Sequence, residues 1–255
     1  MNIRRLTLLA LSVLAVILFT GCIQMHSETI IDKNGGGTAT MTMSVSKTVS
    51  DAMKQMSELD PDSDTSDMPD IDSMDRKEIE KRLKGFDVKL TKFEKKDVDG
   101  KQTVVMAYEF KDLKGLSAAM GSFMGGGDSE ENGLGVFDAG NGNLVLRPAH
   151  YDLPAFDEEE AADVVDEAPA MDEMDPAAMQ KQMALMGTLM SAAAELDISM
   201  KITVPGDIVS TNAPAQEGRT SIWTINSGNM MMAGDNMAPE IVFSGNGVKI
   251  KPMTE

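Results

Sequence analysis

The start of the chain constrains the fold more than any other stretch, because it decides where the remainder folds. Arg4 and Arg5 precede an apolar run, two small residues and then Cys22. This order is typical of an export signal, so residues 1–21 are predicted to be removed as a signal peptide. The apolar run is shorter than the roughly 20 residues that a membrane-spanning helix needs. Cys22 is the only cysteine, so the exported fold has no disulfide and depends on its core.

The stretch LFTGC at 18–22 resembles the lipobox of bacterial lipoproteins. In that family the cysteine thiol receives a diacylglyceryl group with chains such as palmitate. The resemblance implies that Cys22 is lipidated and becomes the first residue of a mature chain held on a membrane. Two or more acyl chains make such an anchor stable, whereas one chain binds only reversibly. A plain secretory signal with an unmodified cysteine is the alternative.

The same resemblance implies a location in the cell envelope. Ile23 follows the cysteine in place of the Asp that retains lipoproteins in the inner membrane. In a Gram-negative cell the protein would therefore lie on the outer membrane and face the periplasm. In other bacteria it would lie on the outer face of the plasma membrane.

The charge of the chain excludes one class of partner. There are 23 basic and 41 acidic side chains, and loss of the two arginines of the signal changes the net charge from −18 to −20. So negative a surface repels nucleic acid and anionic headgroups. The expected partners are the membrane, through Cys22, and an apolar ligand or an envelope protein.

Short alternating segments predict a sheet built from hairpins. Residues 28–46 predict a hairpin, with a glycine-rich turn at 34–37 followed by alternating polar and apolar side chains at 40–45. Residues 86–110 predict a second hairpin around Asp99-Gly100. A third hairpin is expected near 135–148. Strands joined by tight turns are antiparallel, so we expect an α+β fold, an antiparallel sheet with helices packed on one face.

Two acid-rich segments lack lysine and arginine, at about 58–75 and 152–175. We expect disordered loops inside a single exported domain, residues 22–255, rather than boundaries between domains. The acids at 60, 62 and 64 do not form an EF-hand, since Thr65 and Ile71 occupy its glycine and glutamate positions. Asp75 is expected to cap the following helix.

The longest helix is predicted over about 176–195. Met179, Met183, Met186 and Met190 fall on one stripe, which we expect to face the core. The chain has 23 methionines and few aromatic residues. Because methionine is flexible and polarizable, this composition would suit a deformable apolar pocket.

A second resemblance involves the segment ISMKITVPGDIVSTNAPAQEGRTSIWTI at 198–225. Together with the lipobox and the turn at 34–37, it resembles the LppM-like bacterial lipoprotein domain. The resemblance implies a compact α+β domain on a lipid anchor, with lipid binding suggested for some members. It implies no catalytic residues.

No catalytic, cofactor-binding or metal-binding residue is predicted. His26 and His150 are the only histidines, and both are expected in exposed loops. There is no GxSxG motif and no phosphate-binding glycine loop. The methionines of 230–237 are soft ligands that would suit Cu(I), which makes copper binding a minor alternative.

The sequence thus predicts a membrane-anchored bacterial lipoprotein that is not an enzyme. Its expected role is to bind a lipid or another apolar ligand between sheet and helices. The alternative is a structural or assembly protein of the envelope that acts through protein–protein contacts. An empty, enclosed apolar cavity would favour the first role, and a tightly filled core would count against it. A stable envelope partner that survives high salt would favour the second role.

Overall fold

A computed structural model describes residues 22–59, 71, 74–123, 133–149, 176–229 and 238–254. Within these ranges there are eleven strands and four helices, which confirms the predicted α+β class. The strands are β1 (Ile23–Ile31), β2 (Gly37–Ser46), β3 (Val88–Val98), β4 (Lys101–Phe110), β5 (Gly133–Gly140), β6 (Asn143–Ala149), β7 (Leu196–Thr203), β8 (Ile208–Thr211), β9 (Ala215–Glu217), β10 (Thr220–Asn226) and β11 (Ile241–Ser244). The helices are α1 (Lys47–Leu59), α2 (Arg76–Arg82), α3 (Leu113–Phe123) and α4 (Pro176–Ala193).

The strands form two sheets. The larger has seven strands in the order β3-β4-β2-β1-β7-β10-β9, and the smaller has four in the order β5-β6-β11-β8. The three predicted hairpins are present as β1–β2, β3–β4 and β5–β6. The sheet is not wholly antiparallel, because β1 and β7 pair in parallel. These two strands lie far apart in the sequence and no tight turn connects them, so the sequence pattern does not predict that they pair.

The conformation of each hairpin turn is explained by the residues that form it. Asp99 and Gly100 both have positive φ, 52° and 76°, as a tight two-residue turn requires. At the β1–β2 turn, a Cβ on Gly37 would collide with the carbonyl oxygen of Ile30. Gly37 therefore allows the two strands to approach each other at this end.

One face of the larger sheet forms the core. Alternate residues along each strand are buried, as the period of two predicts. They are Ile23, Ile31, Ala39, Met41, Met43, Val45, Val104, Met106, Tyr108, Phe110, Ile202 and Trp223. Val49 of α1 belongs to the same core, and Ala52 and Met56 of α1 are also buried. The helix α3 packs mainly against β5 of the smaller sheet. The opposite face of the larger sheet is mostly polar.

The orientation predicted for the long helix is wrong. Met183, Met186 and Met190 are 63%, 53% and 70% exposed instead of facing the core. Ala192 is buried and Leu189 packs against the core, while α4 lies on α1. The helix has two apolar faces, about 120° apart at 100° per residue, and the leucine and alanine face is the one that packs inward.

The structure describes part of the first acidic segment. Ile71 is buried, so it belongs to the core and not to a solvated loop. Asp75 caps α2 as predicted, and its carboxylate accepts hydrogen bonds from the backbone N–H of Lys77 and Glu78 at 2.8 and 3.3 Å. Residues 60–70, 72–73 and all of 152–175 lie outside the described residues, and the single-domain assignment stays a prediction.

Candidate functional site

Cys22 lies at the first described position, immediately before β1. Its carbonyl oxygen accepts a hydrogen bond from the N–H of Ser46 at 2.8 Å, which fixes it to the end of β2. Its Sγ donates to Glu195 Oε2 at 3.1 Å, just before β7 begins. Cys22 is thus held where the first hairpin meets the end of α4. This position leaves the side chain half-buried.

The environment of Cys22 disfavours its thiolate. The hydrogen bond to Glu195 is the largest cause, and partial burial adds to it, so the pKa of Cys22 is raised. These contacts belong to the free thiol. A lipidated Cys22 would carry a thioether, which has no proton to donate to Glu195. Residues 1–21 lie outside the described residues, so the lipidation remains a prediction.

An open cleft lies at the other end of β1. In the larger sheet Lys89, Glu109, Thr38 and Ile30 form one row across β3, β4, β2 and β1. The row borders a cleft of about 740 Å³. The lining residues are Ile30, Asp32, Gly37, Thr38, Phe86, Asp87, Val88, Lys89, Glu109, Phe110 and Lys111. Eight residue steps of β1 separate its two ends, roughly 26 Å at about 3.3 Å per residue.

The cleft combines apolar and charged groups. Ile30 is 44% exposed, and Phe86 and Val88 are half-buried, so apolar surface is open to a ligand. Lys111 Nζ donates to Asp87 Oδ1 at 2.8 Å, and this contact raises the pKa of Lys111. Charges of both signs therefore lie beside the apolar surface, an arrangement that fits an amphiphilic molecule.

The turn at the cleft is ordered by its own side chain. Asp32 Oδ1 accepts a hydrogen bond from the N–H of Asn34 at 2.6 Å, and the N–H of Asp32 donates to the carbonyl of Gly36 at 2.8 Å. A smaller depression of about 310 Å³ adjoins the cleft and shares Phe86 and Asp87 with it. The cleft is thus built on a hairpin turn and the chain between α2 and β3.

His26 corrects one expectation. It lies inside β1 and not in a loop, and its Nε2 is buried without a hydrogen-bond partner. Gln24, two residues earlier on the same face, is 4% exposed, and its Nε2 also has no partner. Thr42 and Ser199 are the register neighbours of His26. Neither makes a hydrogen bond with Nε2.

Metal chemistry has limited support. In the part of the chain that the structure describes, there is no group of three or more His, Cys, Asp or Glu side chains that could hold a metal. The methionines of 230–237 and His150 lie outside the described residues. The copper alternative therefore stays a prediction.

The cleft residues were not identified from the sequence. They come from four strands, the β1–β2 turn, the connection before β3 and the residue after β4, and most look like ordinary exposed strand or loop positions. The only local signal is Ile30, an apolar residue on the polar face of β1, where the alternation breaks.

The structure is similar to the NMR structure of the folded domain of the LppM protein of Mycobacterium tuberculosis. The chains are 10% identical, the match covers 88% of this chain and 90% of that one, and the TM-score is 0.43. No protein-family model matches the chain, and no curated protein sequence matches it. The likeness is a weak relationship of fold and establishes neither a family nor a function.

Membrane contact through a spanning helix has no support in the described ranges. None of the helices there is both long and apolar enough to cross a bilayer.

Proposed function

We propose that this chain is a lipoprotein of the bacterial cell envelope, anchored by acyl chains on Cys22, which binds a lipid or another amphiphilic ligand and catalyses no reaction. The binding site is the cleft at the far end of β1. The anchor would hold the domain on the non-cytoplasmic side of its membrane. The observation that carries the proposal is the cleft, in which apolar side chains lie beside charges of both signs.

The size of the cleft supports a ligand of lipid-fragment dimensions. Ligand pockets typically enclose about 300–1,000 Å³, and the cleft at about 740 Å³ lies within that range. Ile30, Phe86 and Val88 supply surface for an acyl segment. Lys89 and Glu109 lie opposite each other in register, so a headgroup with both charges finds partners on adjacent strands.

The position of the cleft also supports the proposal. β1 begins beside Cys22 and ends at the cleft, so a molecule anchored at the start of β1 holds the cleft roughly 26 Å away along the strand. The ligand would then be held clear of the anchoring surface.

The test uses two substitutions on one strand. Thr38 and Thr40 are both exposed on β2 and lie on the same face, but only Thr38 lines the cleft. Thr38→Trp fills the cleft, and we expect it to weaken binding of a fluorescent short-chain phosphatidylethanolamine by about tenfold or more, as loss of one good contact would. Thr40→Trp should bind like the parent. Protein purified from its own membrane is used, and its N-terminal mass reports acylation of Cys22.

The results separate the two parts of the proposal. Equal binding by both variants, or no binding by the parent, would remove the cleft as the ligand site. A mass showing an unmodified Cys22 would remove the anchor, whatever the binding result.

A further inference from the structure

The exposed side of α4 is unusually apolar for a helix in contact with water. Three of its methionines are more than half exposed. The exposed positions between 183 and 194 are Met183, Ala184, Met186, Gly187, Met190, Ser191, Ala193 and Ala194. We call this surface the methionine face. Lys181 is the only charged residue of α4, and no acid occurs between 176 and 194 in a chain of net charge −18.

The hydroxyl groups of this part of α4 are already satisfied. Ser191 Oγ donates to the carbonyl of Gly187 at 3.0 Å, and Thr188 Oγ1 donates to the carbonyl of Ala184 at 3.2 Å. A hydroxyl bonded to its own helix can enter an apolar environment at little cost, because it leaves no unpaired donor. The methionine face therefore tolerates removal from water better than its serine and threonine content suggests.

The methionine face lies next to the anchoring residue. Glu195, two residues beyond the end of α4, holds the Sγ of Cys22 at 3.1 Å. Met190 precedes Glu195 by five residues, roughly 8 Å of helix rise. Acyl chains on Cys22 would thus leave the protein within about two helical turns of Met190 and about three and a half turns of Met183.

A second exposed apolar residue lies at the same end of the molecule. The carbonyl of Gly100, in the β3–β4 turn, accepts from the N–H of Lys47 at 3.2 Å, which places this turn beside the start of α1. Val98, just before the turn, is 42% exposed. The backbone carbonyl of Cys22 accepts a hydrogen bond from the N–H of Ser46, the residue before Lys47. Val98 and Cys22 therefore lie at the same end of the larger sheet.

We propose that the methionine face lies in the surface of the membrane that holds Cys22, at the boundary between headgroups and acyl chains. This inference rests on the proposed lipidation. Lipid is favoured as the occupant because the face adjoins the anchor, and an anchored chain keeps it at high local concentration against the bilayer. The face lacks acidic groups in a strongly acidic chain, so it can approach a zwitterionic bilayer without repulsion. Flexible methionines also adapt to a fluid surface.

The experiment measures contact with lipid directly. Acylated mature protein, residues 22–255, is reconstituted in vesicles of phosphatidylcholine and phosphatidylethanolamine, with and without brominated acyl chains that quench tryptophan. Met186→Trp places a reporter on the methionine face. Val209→Trp is the matched control, since Val209 is 60% exposed on β8, beyond the cleft end of β7. Trp223 is buried in the core and gives the baseline in the parent protein.

We expect brominated lipid to remove roughly half of the emission that Met186→Trp adds, and none of that added by Val209→Trp. Adding Met183→Gln and Met190→Gln to Met186→Trp should reduce the quenching. Thermal unfolding of each variant checks that it folds like the parent.

Three outcomes would be distinguished. If Cys22 carries no acyl chain by mass and the protein does not float with the vesicles, the proposed anchor fails. If the protein is acylated and floats but Met186→Trp is not quenched, the docking fails and the anchor stands. If Met186→Trp is unquenched and its emission depends on protein concentration, the face binds a second copy of the chain, which overturns the proposal.

Discussion

Two sets of methionines have opposite fates in this molecule. Met41, Met43 and Met106, on the core face of the larger sheet, are at most 4% exposed. Met183 and Met190, on α4, are more than half exposed. Both sets consist of methionines that recur with the period of their element, so neither the residue type nor a regular period decides burial. What differs is the rest of the element, and this difference shows what a periodic pattern can predict.

On β2 the alternation leaves one choice. Thr40, Thr42 and Ser44 alternate with the two methionines, so only one face of the strand is apolar and that face packs inward. On α4 Leu189 and Ala192 offer a second apolar face. The helix then packs through the side that fits α1, and the methionines remain outside. Where a helix has two apolar faces, packing and not periodicity decides which is buried.

The largest expected effect is on the stability of the core set. Met106 is fully buried, and its sulfur accepts a hydrogen bond from the hydroxyl of Tyr108 at 3.2 Å. Met106→Ala leaves a cavity, and we expect it to lower the free energy of unfolding by about 2–5 kcal/mol. Met183→Ala, at an exposed site, should change it by no more than about 0.5 kcal/mol. Urea unfolding of both variants in one buffer measures the contrast.

The comparison would break if the two variants lost the same stability. That result would mean that α4 packs through its methionine face in solution. A loss below about 1 kcal/mol in Met106→Ala would instead show that the core collapses around the missing side chain.

A second, smaller contrast is chemical. Peroxide oxidises accessible methionine sulfur, and a buried sulfur reacts only when its surroundings open. In protein free of lipid, we expect Met183, Met186 and Met190 to oxidise at least about tenfold faster than Met43 and Met106. Peptide mass mapping over time gives each rate. Slow oxidation on α4 would mean that another part of the chain covers the methionine face.

Local chemistry predicted most of the elements. The Asp99-Gly100 turn, the cap at Asp75 and the alternation in β2 and β4 each depend on residues close in sequence. Each was confirmed, because turn geometry and side-chain periodicity are set by the nearest few residues. Cys22 was singled out by its lipobox alone, and its contact with Glu195 could not be foreseen.

Features that depend on contacts between distant residues could not be predicted from the sequence. The parallel pairing of β1 with β7 joins residues such as Ile23 and Leu196, and no local sequence pattern predicts it. The cleft needs Phe86 and Lys111 beside the β1–β2 turn, and that proximity exists only once β3 and β4 have paired with the first hairpin. The second sheet also depends on distant residues, because β11 pairs with β6 and β8.

The smallest expected effect tests whether α4 really ends beside Cys22. In unlipidated precursor the thiol donates to Glu195, which raises the pKa of Cys22 because a thiolate there would lie beside a carboxylate. Glu195→Gln removes that negative charge, so the pKa should fall and the thiolate fraction at a given pH should rise. Alkylation by iodoacetamide between pH 7 and 9 should then be faster than in the parent, and the rates should converge once the pH exceeds both pKa values. Asp197→Asn, two residues along β7, is the control and should behave like the parent. Unchanged alkylation in Glu195→Gln would mean that the end of α4 does not lie beside Cys22. The exposed methionines would then no longer adjoin the proposed anchor, and the membrane would not explain why they differ from the buried set.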